Sequence, residues 1–132
     1  MDHKTLLDTL KQAISGLRAV YLFGSQARAD ATRKSDIDIA ILADRPLATV
    51  ERYDLAQTLA AALNRDVDLL DLRTASTVMR MQVIGSGQCL YRCGEKEVGI
   101  FEDFVFADYT RLNEERAGIL ADIRERGTIH GR

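Results

Sequence analysis

The sequence has no tryptophan, a single proline (Pro46) and only two cysteines among its 132 residues. No apolar run approaches the roughly 20 residues that a membrane helix needs. The first twenty residues spread Asp2, Lys4, Asp8, Lys11 and Arg18 where a secretory leader would carry an unbroken apolar core. A cytoplasmic protein without membrane association is expected. Charge excess is also missing: 18 basic residues face 20 acidic ones, a formal net charge of −2. That balance excludes a chain whose main task is to coat nucleic acid or an anionic membrane, so no direct nucleic-acid binding is expected. Cys89 and Cys93 would need a second Cys/His pair to hold a structural zinc, and His3 and His130 sit near opposite ends of the chain. They read as two reduced thiols in or beside a strand, with no function. Repeats, low-complexity tracts and linkers are absent too. What is present, 46% hydrophobic and 29% charged residues, is ordinary globular composition, enough for one domain spanning 1–132 that buries roughly two thirds of its unfolded surface.

Periodicity orders the elements. Leu6, Leu7, Leu10, Ile14 and Leu17 recur at helical spacing, with Asp2 as N-cap and Gly16 near the end. Strands are expected at 19–23, 36–42 and 67–72, and an edge strand at 88–92. Gly24-Ser25 stops the first of these and Asp44-Arg45-Pro46 the second. A helix fits 48–63, with Val50, Leu55, Leu59, Ala62 and Leu63 on one face, and a shorter one fits 76–84, closed by Gly85-Ser86-Gly87. A long helical pattern runs over 98–126 through Phe101, Val105, Tyr109, Leu112, Arg116, Ile119 and Ile123. Helices alternating with strands give an α/β or α+β domain, helices packed on a small sheet.

The chemistry is concentrated in Phe23-Gly24-Ser25-Gln26-Ala27-Arg28 and in Asp36-Ile37-Asp38-Ile39. Residues two apart on a strand share a face roughly 6–7 Å apart. Asp36 and Asp38 therefore lie together, while Ile37, Ile39 and Ile41 turn the other way into a core. Paired carboxylates repel unless a cation lies between them, and a rigid pair suits two divalent ions about 3.5–4 Å apart. A third carboxylate comes from the 67–72 strand. Parity puts Asp66 and Asp68 on one face and Asp71 on the other; Asp68, inside the apolar run, is favoured to stand beside Asp36 and Asp38. Asp66 at the entrance reads as a solvated turn residue, and Asp71 as belonging to the opposite face or the strand exit, yet either remains an alternative third acid. Gly24-Ser25 lets backbone N–H groups and a hydroxyl approach a phosphate. Arg28, Arg33 and Lys34 in the same connection supply balancing charge, with Arg28 best placed to reach a nucleoside triphosphate.

Gly24-Ser25, ten intervening residues and then Asp36-Ile37-Asp38 resemble the signature of the nucleotidyltransferase superfamily that includes DNA polymerase beta and kanamycin nucleotidyltransferase. The chain length, the Val67-Asp68-Leu69-Leu70-Asp71-Leu72 strand and the lack of a second domain are similar to its minimal nucleotidyltransferases (MNT), above all the MntA-type antitoxins paired with HEPN-domain toxins. The specific likeness covers residues 20–72, and the order of elements extends it less specifically to both ends. It implies a nucleotidyltransferase fold: a small mixed sheet flanked by helices, with a long C-terminal helix. It also implies that Gly24 and Ser25 hold the triphosphate of ATP, that Asp36, Asp38 and Asp68 bind Mg²⁺, and that a cognate HEPN-type toxin is the partner in a hetero-oligomer. One departure stands out: Ala29-Asp30 follows Arg28 where many relatives have a glycine.

The expected reaction is transfer of AMP from ATP to a hydroxyl, tyrosine by preference, of that toxin. Two Mg²⁺ ions would serve it, and Asp68 could accept the hydroxyl proton. A small-molecule acceptor such as an aminoglycoside is the second reading, but it needs an acceptor-binding domain for which no residues are left. A non-catalytic antitoxin that acts by binding alone is the third. The aromatic first half of the last helix (Phe101, Phe104, Val105, Phe106, Tyr109) supports a binding role, but a pure binder has no reason to keep three clustered acids.

Overall fold

The computed structural model describes residues 3–24 and 36–129, with side chains up to residue 125. Its elements follow in the order α1 (His3–Ala13), β1 (Leu17–Phe23), β2 (Ile37–Ala43), α2 (Thr49–Leu63), β3 (Val67–Asp71), α3 (Thr77–Ser86), β4 (Gln88–Arg92) and α4 (Glu95–Ile129). The strands form one mixed sheet in the order β3-β2-β1-β4. β1 is antiparallel to both β2 and β4, and β2 is parallel to β3.

Both faces of the sheet are covered, which is why β1 and β2 read as nearly continuous apolar runs. On one face Ile37, Ile39, Ile41 and Leu69 pack with Leu6 and Leu10 of α1 and Leu55 and Leu59 of α2. On the other, Tyr21, Phe23, Ala40 and Leu42 pack with Val83 of α3 and Val98 of α4. Each fully buried Leu or Ile contributes about 1.5–3 kcal/mol relative to exposure. The core strands are therefore the rigid part of the molecule.

Some boundaries move from the expected ones. α1 stops at Ala13, and Leu17 opens β1 two residues before the expected start; a positive φ of 77° at Gly16 makes the turn between them. Leu17 fits the helical period by spacing alone, but its side chain is buried by the sheet. On α2, Leu55 and Leu59 are buried as expected, whereas Val50 is 70% exposed and Ala62 is also exposed. α4 begins three residues earlier and ends three later than its periodicity implies, reaching 35 residues, or about 50 Å.

α4 is fastened by polar contacts. The Tyr21 hydroxyl donates to Glu102 Oε2 at 2.7 Å, and Arg92 donates to the same oxygen at 2.9 Å. Burial raises the Glu102 pKa, but the hydrogen bonds from Arg92 and Tyr21 outweigh it and hold the carboxyl below its usual range. Further along, Thr77 Oγ1 of α3 donates to Asp108 Oδ2 at 2.7 Å.

Asp71 is the one charged side chain buried among the described residues, at 1% exposure. It faces the α2 side and accepts the backbone N–H of Leu47 at 2.8 Å and of Arg73 at 3.0 Å. It thereby ties the chain leaving β2 to the chain leaving β3. Asp71→Leu should orphan two backbone donors and lower unfolding stability by about 2–4 kcal/mol, read from urea melts. Transfer activity per folded molecule should survive, because Asp71 points away from the acidic cluster.

Candidate active site

The sheet has two poles, and Asp36, Asp38 and Asp68 gather at one. β1 ends there at Phe23, while β2 and β3 both begin there. The ladder between β2 and β3 opens with the Ile37 N–H donating to the Asp66 carbonyl at 2.9 Å. This sets the register that pairs Asp38 with Asp68 across the parallel strands. Parallel neighbours in register present their side chains on the same face, so the two carboxylates stand side by side. Asp36 lies two residues upstream of Asp38, just outside β2. Asp38 is half-buried, and Asp36 and Asp68 are exposed.

The electrostatics record the closeness. The Asp38 carboxyl is pushed above its usual range, first by burial and then by the charges of Asp68 and Asp36. Among the described residues no three acidic, cysteine or histidine side chains are grouped closely enough to hold a metal ion. Cys89 and Cys93 are free, exposed thiols with no part in the site. Asp66 is exposed and serves the sheet through its backbone carbonyl.

Gly24 completes the described part of the pole. It follows β1 with φ at 67°, a left-handed conformation that favours glycine. A Cβ there would collide with Asp38 Oδ2 and come within 3.0 Å of Asp38 Cγ. The glycine thus makes room for the Asp38 carboxylate, a role that the phosphate-loop reading of the sequence missed. No sequence signal could have found it, because Phe23 and Asp38 become neighbours only through the antiparallel register of β1 and β2. Gly87 also lies at this pole, where an added Cβ would meet the Val83 carbonyl and come within 3.0 Å of the Leu22 carbonyl. Its place after α3 was legible; the close approach to β1 was not. Ser25, Arg28, Arg33 and Lys34 lie outside the described residues.

The donor set is all oxygen and anionic, chemistry that suits a hard divalent cation such as Mg²⁺. Gly24 is half-buried, and the exposed carboxylates of Asp36 and Asp68 stand at the same pole. A cluster of this kind polarises and positions; it contains no side-chain nucleophile of its own.

Comparison with known proteins agrees with this geometry. The family described as Polymerase beta, Nucleotidyltransferase matches residues 4–96. The protein adenylyltransferase MntA of Shewanella oneidensis strain MR-1 is 39% identical over 123 residues, 93% of this chain and 88% of that protein. A crystal structure of a toxin–antitoxin with AMP-PNP contains a chain similar at TM-score 0.84 and 39% identity, covering 93% of this chain and 98% of that one. Another similar chain occurs in the structure of tri-AMPylated Shewanella oneidensis HEPN toxin in complex with MNT antitoxin, at TM-score 0.76 and 38% identity over 91% of this chain and 93% of that one. A minimal sheet with three aspartates at one pole, and relatives of matching length, lead to one assignment: the chain belongs to the polymerase beta nucleotidyltransferase family.

Proposed function

We propose that this chain is an antitoxin-type protein adenylyltransferase that transfers AMP from ATP to a hydroxyl, by preference a tyrosine, of a cognate HEPN-domain toxin. The observation that carries the reading is the in-register pair Asp38 and Asp68, with Asp36 beside it, at the pole where Gly24 ends β1. Its likeness to MntA and to the chains from toxin–antitoxin structures supports the protein acceptor. ATP as the donor supports a cytoplasmic reaction; no helix among the described residues is long and apolar enough to cross a membrane.

Asp36, Asp38 and Asp68 would hold two Mg²⁺ ions, which when bound neutralise triphosphate charge and favour ionisation of the attacking hydroxyl. Gly24 and Ser25 would seat the triphosphate through backbone N–H groups, with Arg28 adding positive charge. Asp36 and Asp38 would anchor the metal-bound triphosphate; the acceptor hydroxyl would attack the α-phosphorus in line, and pyrophosphate would leave on the opposite side. Asp68, which is exposed, would accept the proton of the entering hydroxyl. The fixed β2 and β3 strands hold these groups ready, so little reorganisation accompanies the reaction.

The test is co-expression with a cognate HEPN-domain toxin, followed by intact-mass spectrometry. The toxin should gain the mass of AMP, once or in multiples, and in purified form only with both ATP and Mg²⁺. A toxin neutralised at unchanged mass would mean that the chain acts by binding alone.

A further inference from the structure

The acids of the candidate site do not stand on equally supported strands. β2 lies inside the sheet, and Asp38 has Phe23 of β1 on one side and Asp68 of β3 on the other. β3 is an edge strand of five residues, and its neighbour in the sheet is β2 alone. Asp68 is therefore the acid whose strand has a free side. A short strand bonded on one side is the part of a sheet that opens most readily.

The two ends of β3 are held differently. At the far pole the Asp71 carboxylate accepts the Leu47 and Arg73 N–H groups, the Leu72 N–H donates to the Ile41 carbonyl at 3.0 Å, and Arg80 donates to the Leu72 carbonyl at 2.6 Å. At the acidic pole the Asp66 carbonyl accepts the Ile37 N–H. Asp66 and Leu72 thus both turn backbone groups toward β2. Alternation along the strand turns those of Val67, Leu69 and Asp71 to the free side. There the Leu69 carbonyl, in the residue directly after Asp68, accepts Arg52 Nη1 at 3.1 Å. Arg52 is half-buried and stands in the first turn of α2. Leu55 and Leu59 of the same helix pack in one core with Leu69, so the guanidinium is mounted on an element fixed relative to β3.

We propose that Arg52 is a positioning residue for Asp68. β2 holds one side of β3 and Arg52 the other, which stops the strand from rolling about its single ladder and keeps the Asp68 carboxylate facing Asp38. Asp38 needs no such clamp, because β2 is bonded on both sides. The inference rests on the reading of Asp38 and Asp68 as a metal-binding pair and deepens it: a carboxylate on an edge strand stays in place only when that edge is held. The same contact caps an open carbonyl on the edge of the sheet, where another strand could otherwise pair.

The test compares two replacements. Arg52→Met removes the donors and keeps an apolar stem, whereas Arg52→Lys keeps a cationic donor. Mn²⁺ is the probe metal, titrated without nucleotide and followed by the electron paramagnetic resonance of the free ion. Transfer to the HEPN-domain toxin gives kcat and KM for ATP. Arg52→Met should weaken Mn²⁺ binding about tenfold and lower kcat about tenfold, the size of effect that follows loss of a group supporting a metal ligand. KM for ATP should stay within about threefold, because the Gly24 turn after β1 is untouched. Arg52→Lys should recover most of both losses. Asp71→Leu, which loosens the far end of the same strand, should lower stability yet keep Mn²⁺ affinity and kcat. Parental Mn²⁺ affinity and kcat in folded Arg52→Met, equal losses in the Met and Lys variants, the same losses in Asp71→Leu, or a parent that binds no Mn²⁺ overturns the proposal. A parent that binds Mn²⁺ but transfers no AMP would instead overturn the catalytic reading, and the Mn²⁺ titrations alone would then decide the role of Arg52.

Discussion

Asp38→Asn is expected to lower AMP transfer by about 10³-fold or more, a loss of the size that follows removal of one preorganised charge from a reacting centre. The variant should nevertheless be folded. Burial and the charges of Asp68 and Asp36 raise the Asp38 pKa in the native state. An acid whose folded pKa lies above its unfolded value favours the fold only while protonated. That contribution is lost as pH rises from the ordinary aspartate pKa of 3.8 through the raised native value. At pH 7 without divalent cations, the ionised side chain therefore opposes folding, and asparagine removes the opposition at nearly constant volume. Thermal melts in chelator should place Asp38→Asn at or above the parent. Added Mg²⁺ should raise the melting temperature of the parent more than that of the variant. Radiolabelled transfer assays give the activity arm, and near-parental turnover would remove Asp38 from the catalytic set. A variant melting several degrees below the parent in chelator would show that Asp38 is structural instead.

Gly24→Ala should be damaging for two separable reasons. The backbone conformation, φ 67°, is strained for any residue with a Cβ, by about 1–2 kcal/mol. The new Cβ also claims space held by the Asp38 carboxylate, and a displacement of about 1 Å at a reacting centre lowers rate by about 10²-fold. Gly16→Ala separates the two effects. Gly16 has φ 77°, and a Cβ there would come within 2.6 Å of Asp44 Oδ2, the same kind of collision at the far pole. Both variants should lose comparable stability in urea melts, but only Gly24→Ala should lose kcat at saturating ATP. Parental kcat in folded Gly24→Ala would mean that the glycine does not position Asp38.

The candidate site was partly legible because its signals are local. Asp36 and Asp38 declare a shared face by the two-residue period of a strand, and Ile37, Ile39 and Ile41 declare the opposite one. The same parity separated Asp68 from Asp71 before any pairing was known, and Asp71 indeed faces α2. Local spacing misled where exposure depends on neighbours. Val50 fits the apolar face of α2 by period, but it is largely exposed. Of the α4 residues read as a binding surface, Phe104 and Phe106 are exposed, whereas Val105 is buried with Val98.

By itself, the sequence determined the order of elements, the α/β or α+β class, the faces of β2 and β3 and the candidate acids Asp36, Asp38 and Asp68. These follow from the period of strands and helices and from the chemical types at fixed spacing. Tertiary structure decided what depends on pairing between distant segments. The β2–β3 register sets Asp38 beside Asp68, and the β1–β2 register sets Gly24 against Asp38. At the far pole, the crossing of α4 over the exits of β2 and β3 joins Arg73, Arg80 and Phe101 in one groove. Register and crossing are fixed by the total burial of both sheet faces, a sum over the whole chain that no single segment contains.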